Sequence, residues 1–241
     1  MLSSSEKPAV KEIIEFISRR VSGRSMIIGV SGGIDSSVVY KLASIADTDR
    51  VRAFFLPDSS TPESDYQDVA NLGGKGSPPI TTIRIDAMVK AFTGPLGISD
   101  PKLLGNVKSR VRMVILYYYA NLENGLVLGT TNRSEYMTGY FTKHGDGACD
   151  LEPIMHLYKS EVREMASALG IPEHIITKAP SAGLWEGQTD EEDLGFSYES
   201  LDSGLKCISD GNGDADPRIV ELYRNSLHKR SLPASLLEGK I

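Results

Sequence analysis

Ser25-Met26-Ile27-Ile28-Gly29-Val30-Ser31-Gly32-Gly33-Ile34-Asp35-Ser36-Ser37 decides the fold. Its opening run, Ser25 to Val30, is apolar with little polar alternation, the pattern of a strand buried on both faces of a parallel sheet. Beyond the glycines, Val38, Leu42 and Ile45 recur at i, i+4 and i+7, which marks a helix packed by one face. Further out, Val51 to Leu56, Thr82 to Ile85 and Leu126 to Gly129 read as three more buried strands. Leu104, Val107, Val111 and Leu116 mark a long helix opened by Asp100-Pro101, and a second pattern from Tyr158 to Leu169 ends at Gly170-Ile171-Pro172. Strands alternating with helices predict an α/β fold, a doubly wound, Rossmann-like parallel sheet with helices on both faces. Ligands of such sheets bind beyond the strand C-termini.

The turn after the first strand is built for an anion. Two glycines, Gly32 and Gly33, let backbone N–H groups approach a ligand closely, and the helix start adds free donors and a positive dipole end. Gly29, Val30, Ser31, Gly32, Gly33, Ile34, Asp35 and Ser36 thus form a candidate phosphate loop. It is neither a Walker A loop nor a dinucleotide G-x-G-x-x-G turn. A carboxylate beside bound phosphates is repelled unless a cation such as Mg²⁺ lies between, so Asp35 points to a metal–nucleotide complex. An ordinary tight turn with Asp35 at a helix start is the plainer reading of the same residues.

Composition narrows the classes. With 241 residues, 40% hydrophobic and 24% charged, one domain over 1–241 with a substantial core is expected. A net charge of −6 provides no global attraction to nucleic acid or an anionic membrane. Cys149 and Cys207 are too few for a disulfide framework or a four-ligand zinc site and fit a reducing compartment. Met1 to Lys7 lacks an apolar signal core, and the longest apolar run, Met113 to Ala120, is too short to span a bilayer. A soluble, cytoplasmic protein is expected. Asp210, Asn212, Asp214 and Glu221 fall at calcium-loop positions, but Ala215 stands where that loop needs glycine and Pro217 follows.

Ser31 to Ser36 resembles the S-G-G-x-D-S loop of the ATP pyrophosphatases, which cleave ATP between its α- and β-phosphates and adenylate a substrate oxygen. Within that group five further segments resemble NAD synthetases. Asn106-Val107-Lys108-Ser109-Arg110-Val111-Arg112-Met113 is similar to Asn-x-x-Ala-Arg-x-Arg-Met, with Ser109 in place of Ala. Gly129-Thr130-Thr131-Asn132-Arg133-Ser134-Glu135 and Gly139-Tyr140-Phe141-Thr142-Lys143-His144-Gly145-Asp146-Gly147-Ala148-Cys149-Asp150 resemble G-T-x-N-x-x-E and G-[YF]-x-T-K, G-D-G-x-x-D. Pro180-Ser181-Ala182-Gly183-Leu184-Trp185 resembles Pro-[ST]-A-x-L-W, and His228-Lys229 resembles the family's C-terminal pair. The likeness runs from about Ile27 to Pro233.

The resemblance implies an adenine nucleotide alpha hydrolase-like fold and ammonia-dependent amidation of deamido-NAD through an adenylate. It implies Mg²⁺ on Asp35 and Glu135, with Thr130, Lys159 and Ser181 at ATP. It assigns Lys143, Asp150, His228 and Lys229 to deamido-NAD. It also implies a homodimer. Asn132 and Glu135 are equally a helix capping box, and Trp185 is equally a core residue. Arg110 lies four residues from Asn106 on one helix face, while Arg112 points roughly 200° around from Arg110. Only one of the two can readily serve a single site, and the resemblance assigns Arg110 to deamido-NAD and leaves Arg112 structural. The stretch from Ala182 to Tyr198, whose glycines and clustered acids give it little capacity for independent packing, is expected to form a cover that is mobile in the free enzyme and becomes ordered over bound nucleotides. No glutaminase motif surrounds either cysteine, so free ammonia is the expected nitrogen donor. Two rivals are a GMP synthetase subunit and a non-catalytic nucleotide sensor.

Overall fold

The computed structural model describes residues 8–74, 76–181, 183, 187–211, 215–233 and 235–236. Four strands, β1 (Ser25–Gly29), β2 (Val51–Phe55), β3 (Ile80–Thr82) and β4 (Gly125–Leu128), form one parallel sheet in the order β3-β2-β1-β4. The chain builds outward from β1 to β3 and then returns to place β4 on the other side of β1. The crevice between the C-terminal ends of β1 and β4 is therefore the topological switch point, where open α/β sheets bind ligands.

The strand β1 has no polar face, and each of its sides meets a different core. Met26 and Ile28 pack with α1 (Pro8–Val21), α2 (Ile34–Asp47), α7 (Lys159–Ala168) and α8 (Glu173–Ile176). Ile27, between them in sequence, packs with α4 (Asp86–Leu96) and α5 (Pro101–Leu122) on the opposite face. A period of two in side-chain direction thus explains the unbroken apolar run. Val38 and Leu42 of α2 are fully buried, whereas Ile45 is largely exposed. The helix α5 starts where the sequence predicts, with the Asp100 carboxylate accepting from the N–H groups of Lys102 and Leu103 at 2.8 and 3.0 Å.

The strand expected at Thr82 to Ile85 is shifted to Ile80–Thr82. The displacement has a physical reason, since β3 is an edge strand with exposed threonines, and Ile85 is buried as the residue that opens α4. Ladder hydrogen bonds nevertheless continue from Ile83 N–H to Phe55 O and from Ile85 N–H to Pro57 O.

Beside the sheet, a smaller apolar cluster joins α6 (Arg133–Thr138), α9 (Asp190–Leu194), α10 (Tyr198–Ser209) and α11 (Pro217–Asn225). Met137, Leu194, Tyr198, Leu201, Leu205 and Ile219 fill it. The last helix, α12 (Leu227–Arg230), is short and exposed. Among the described residues no helix is long and apolar enough to cross a membrane.

Candidate active site

Beyond β1 the chain turns sharply over the loop from Val30 to Ile34. Gly32 has φ +87°, and a Cβ there would lie 3.2 Å from the Asp65 carbonyl oxygen on α3 (Glu63–Leu72), so both conformation and space require glycine. Ser31 and Ser36 brace the turn, with Ser31 N–H donating to Ser36 Oγ at 3.1 Å and Ser36 Oγ donating to Gly33 O at 3.0 Å. The helix α2 begins after Gly33 without a side-chain cap, which leaves its first-turn amides for an anion.

Opposite this loop, Gly129 to Asn132 lead from β4 into α6. Asn132 caps α6 by accepting from Glu135 N–H at 3.0 Å, and Glu135 Oε2 accepts from Asn132 N–H at 3.2 Å. The capping box is therefore formed, and it aims the second Glu135 oxygen across the crevice. The Asn132 side chain also donates to Asp35 Oδ1 at 2.9 Å, tying the two loops together.

Lys159 enters from the first position of α7. Its N–H donates to Ser134 Oγ at 3.0 Å, and Asp202 on α10 accepts from both Ser134 Oγ and Ser160 N–H. Held in this way, a side chain only 2% exposed places Nζ 2.5 Å from Asp35 Oδ2 and 3.4 Å from Glu135 Oε1. Residues 35, 135 and 159 thus converge on one point between β1 and β4. Burial alone would lower the Lys159 pKa, but the Asp35 and Glu135 charges outweigh it and raise it. Glu135 is pushed up to about 8, first by burial and then by the Asp35 charge.

The site is richer in acid than its motifs indicate. Asp190, at the start of α9, is buried, and its charge acts on both Lys159 and Glu135. Its Oδ2 accepts from the Tyr198 hydroxyl at 2.9 Å, while its Oδ1 is a buried acceptor without a hydrogen-bond partner among the described residues. In the sequence Asp190 is one of an acidic stretch with Glu191, Glu192 and Asp193. Only the preceding Thr189 cap hints at an ordered helix start, and nothing local signals burial.

Three carboxyl groups surround one ammonium, and burial keeps a proton on Glu135 that a hard divalent cation would displace. Among the described residues no group of three or more His, Cys, Asp or Glu side chains is arranged to hold a metal alone. Asp35 and Glu135 together with phosphate oxygens match the donor set that Mg²⁺ takes in nucleotide sites.

A second group of expected residues gathers around Arg110 of α5. Arg110 donates to Lys143 O at 3.3 Å, and Lys143 Nζ donates to His228 O at 2.6 Å, so residues 110, 143 and 228 form one exposed run. Lys229 directs its ammonium to Gly139 O and Phe141 O, both at 2.7 Å, and so holds the end of α6 rather than its own helix terminus. Asp150 stands apart from this run, with Oδ2 accepting from Val127 N–H at 2.8 Å. Arg112 turns inward, donating to Leu56 O at 2.9 Å and Asp58 Oδ2 at 3.0 Å.

Thr130 lies in the β4–α6 connection, next to Thr131, whose N–H donates to Glu152 Oε2 at 3.2 Å. Glu152, unassigned by sequence, also accepts from the Cys149 thiol at 3.1 Å and is pushed up to about 7 by burial, which these hydrogen bonds only partly offset. Its carboxylate fills the space where a Cβ on Gly129 would fall. Burial likewise pushes up the Cys149 thiol, in keeping with an inert side chain. Ser181 is exposed and accepts from Gly183 N–H at 3.1 Å.

Ala182, Leu184, Trp185 and Glu186 of the expected cover lie outside the described residues, as do Asn212 and Asp214 of the calcium-like run. The described part of the cover is better anchored than its glycines indicate. Asp190 N–H donates to Pro180 O at 2.9 Å, Tyr140 donates to Asp193, and Leu194 and Tyr198 are buried.

The NAD synthase family model matches residues 9–233. The chain belongs to the NAD synthase family. It is 53% identical to the NH(3)-dependent NAD(+) synthetase of Picrophilus torridus over 94% of this chain and 93% of that protein. The solved NMN synthetase of Francisella tularensis superposes with a TM-score of 0.86 at 35% identity, covering 98% of this chain and 99% of the other. The NH3-dependent NAD synthetase of Campylobacter jejuni gives 0.77 at 29% identity over 98% and 100%. Membership in the NAD synthase family accounts for the phosphate loop, the parallel sheet and the switch-point crevice together.

Proposed function

We infer that this chain is a ligase that amidates deamido-NAD with ammonia at the expense of ATP, acting as one catalytic domain over 1–241. The nicotinate carboxylate oxygen attacks the α-phosphorus of ATP, the bond to the β-phosphate bridging oxygen breaks, and pyrophosphate leaves. Ammonia then attacks the acyl carbon, AMP departs and the amide of NAD remains. The adenylate supplies the activation, so no enzyme nucleophile is needed, and the protein's part is positioning and electrostatics.

The observation that carries this reading is the convergence of Asp35, Glu135 and Lys159 in front of the phosphate loop. First-turn amides of α2 and residues Gly29 to Ser36 cradle the phosphates, with Thr130 and Ser181 flanking ATP. Lys159 faces the charge that grows on the leaving pyrophosphate. Asp35 and Glu135 would hold Mg²⁺, which when bound supplies charge neutralisation at the phosphates. Arg110, Lys143 and His228, with Asp150 and Lys229, receive deamido-NAD on the α5 side. A cytoplasmic enzyme fits this reading, which requires neither a nucleic acid nor a membrane.

Purified protein given Mg-ATP, deamido-NAD and ammonium is expected to form NAD, AMP and pyrophosphate in equal amounts. Asp35→Asn should lower kcat by about 10²–10³-fold with little change in Tm. Failure to form AMP, or full activity in a folded Asp35→Asn protein, overturns the reading. Amide-¹⁵N glutamine without ammonium should leave NAD unlabelled. The likeness to an NMN synthetase favours one second reading, with nicotinate mononucleotide as acceptor. A higher kcat/KM for that acceptor than for deamido-NAD would select it.

A further inference from the structure

Gly32 is the point where the phosphate loop meets α3, and the residues it meets there are acids. A Cβ on Gly32 would lie 3.3 Å from Asp65 Cα and 3.4 Å from Asp68 Cβ. Asp65 and Asp68 are three apart in the helix, so their carboxylates share one face of α3. The Asp68 carboxyl carbon is one bond beyond that Cβ, which brings a negative charge within a few ångströms of a loop that is to receive phosphates. Asp68 is also buried, so salt and water screen its repulsion poorly. A counter-charge is needed behind the loop.

Lys178 supplies it. This residue follows α8, and its Nζ donates to Asp65 Oδ1 and to Asp68 Oδ2, both at 2.6 Å. His174 of α8 places Nε2 3.0 Å from the other Asp68 oxygen. Burial alone would lower the Lys178 pKa, but the hydrogen bonds and charges of the two carboxylates outweigh it and raise it, so the ammonium persists. The chain around it is held on both sides. Lys178 ties it to α3, and just beyond, Pro180 O accepts from Asp190 N–H at 2.9 Å.

We propose that Lys178 balances charge behind the phosphate loop, pairing with Asp65 and Asp68 so that the turn at Gly32 can accept the phosphates of ATP. The proposal rests on the reading of this loop as an ATP site and adds to it a residue that sets its affinity without touching the nucleotide. The same ion pairs anchor the chain that runs on to Ser181, the expected ATP contact.

Titration of the purified protein with Mg-ATP, without acceptor or ammonium, reads this directly. Lys178→Met should weaken ATP binding about tenfold, whereas Lys178→Arg keeps it within about twofold of wild type. Combining Lys178→Met with Asp65→Asn restores the wild-type charge sum, and the affinity should return to within about twofold. Asp65→Asn alone keeps an oxygen for Lys178 and removes one negative charge, so it should tighten ATP binding about threefold. A role in packing alone predicts the opposite signs, because each substitution then removes a further contact. Unaltered binding in Lys178→Met, a double variant no better than Lys178→Met, or unchanged or weaker binding in Asp65→Asn overturns the proposal. Should Lys178→Met fail to fold, the sign of the change in Asp65→Asn decides. A wild-type protein that does not bind Mg-ATP would remove the proposed function itself and this assignment with it.

Discussion

Lys159 is buried between carboxylates that it cannot fully neutralise, and the excess appears at Glu135. Burial and the Asp35 charge push that carboxyl up to about 8 from an ordinary value of 4.5. The folded free enzyme therefore keeps a proton that the unfolded chain gives up. The stabilisation that this proton represents is complete below about pH 4.5 and is lost as pH rises to about 8, after which the difference is constant. Gln has no proton to lose and preserves the capping box with Asn132. Glu135→Gln should thus match wild type in Tm near pH 5 and exceed it progressively up to about pH 8, beyond which the gap stays level. A gap that shrinks with rising pH would mean that Glu135 is ionised throughout. Adding Mg²⁺ at pH 8 should narrow the gap by favouring the wild-type carboxylate. The motifs around Asp35, Glu135 and Lys159 made these residues legible in sequence, although they are far apart along the chain. The lysine's position between the two acids was not legible, because tertiary packing through Ser134 and Asp202 sets it. Asp190 was missed for the same reason, since its burial depends on Tyr198 and Leu194 and leaves no local periodic signal.

At the scale of the element, α5 separates two arginines by geometry alone. Residues two apart diverge by roughly 200°, so one side chain faces the sheet when the other faces out. Arg112 accordingly reaches Asp58, which is also held by Lys108 at 3.2 Å, and Arg110 emerges beside Lys143. Arg112→Ala leaves Asp58 buried with one partner fewer, a loss of about 2 kcal/mol or roughly 4–8 °C in Tm. Arg110→Ala should leave Tm nearly unchanged and weaken deamido-NAD binding about tenfold, with ATP affinity retained. Titration calorimetry and thermal melts on the two variants check this, and the reverse pattern would exchange the roles. The helix was readable from Asp100-Pro101 onward because cap and period agree. The edge strand β3 was not, since its threonines are exposed and the apolar residues that followed it belong to the entry of α4. In the region after Ser181, glycine content suggested loose packing, but Leu194 and Tyr198 bury enough to anchor the described part.

The whole molecule carries its apolar surface unevenly. Phe92 and Leu96 on α4, and Leu103, Val114, Tyr118 and Leu122 on α5, are each more than half exposed, and all lie on the two helices that cover one sheet face. Val114, Tyr118 and Leu122 are spaced four apart, so they form a continuous stripe along the outer side of α5. Scattered exposed apolar residues are normal in a monomer, but such a stripe beside two further large side chains on α4 is the mark of a contact surface. An antiparallel pairing of α5 with its own copy about a two-fold axis would cover it, since the same patch then meets itself. Each copy must contribute about 800 Å² for a stable contact, which two adjoining helices can supply. We therefore expect a homodimer in sedimentation equilibrium at micromolar concentrations. Tyr118→Glu puts a charge at the middle of the stripe without touching the buried face of α5, so it should shift the protein to monomer while the far-ultraviolet spectrum and Tm stay close to wild type. A wild-type monomer at that concentration, or an unaltered dimer in both Tyr118→Glu and Leu122→Glu, would place the interface elsewhere.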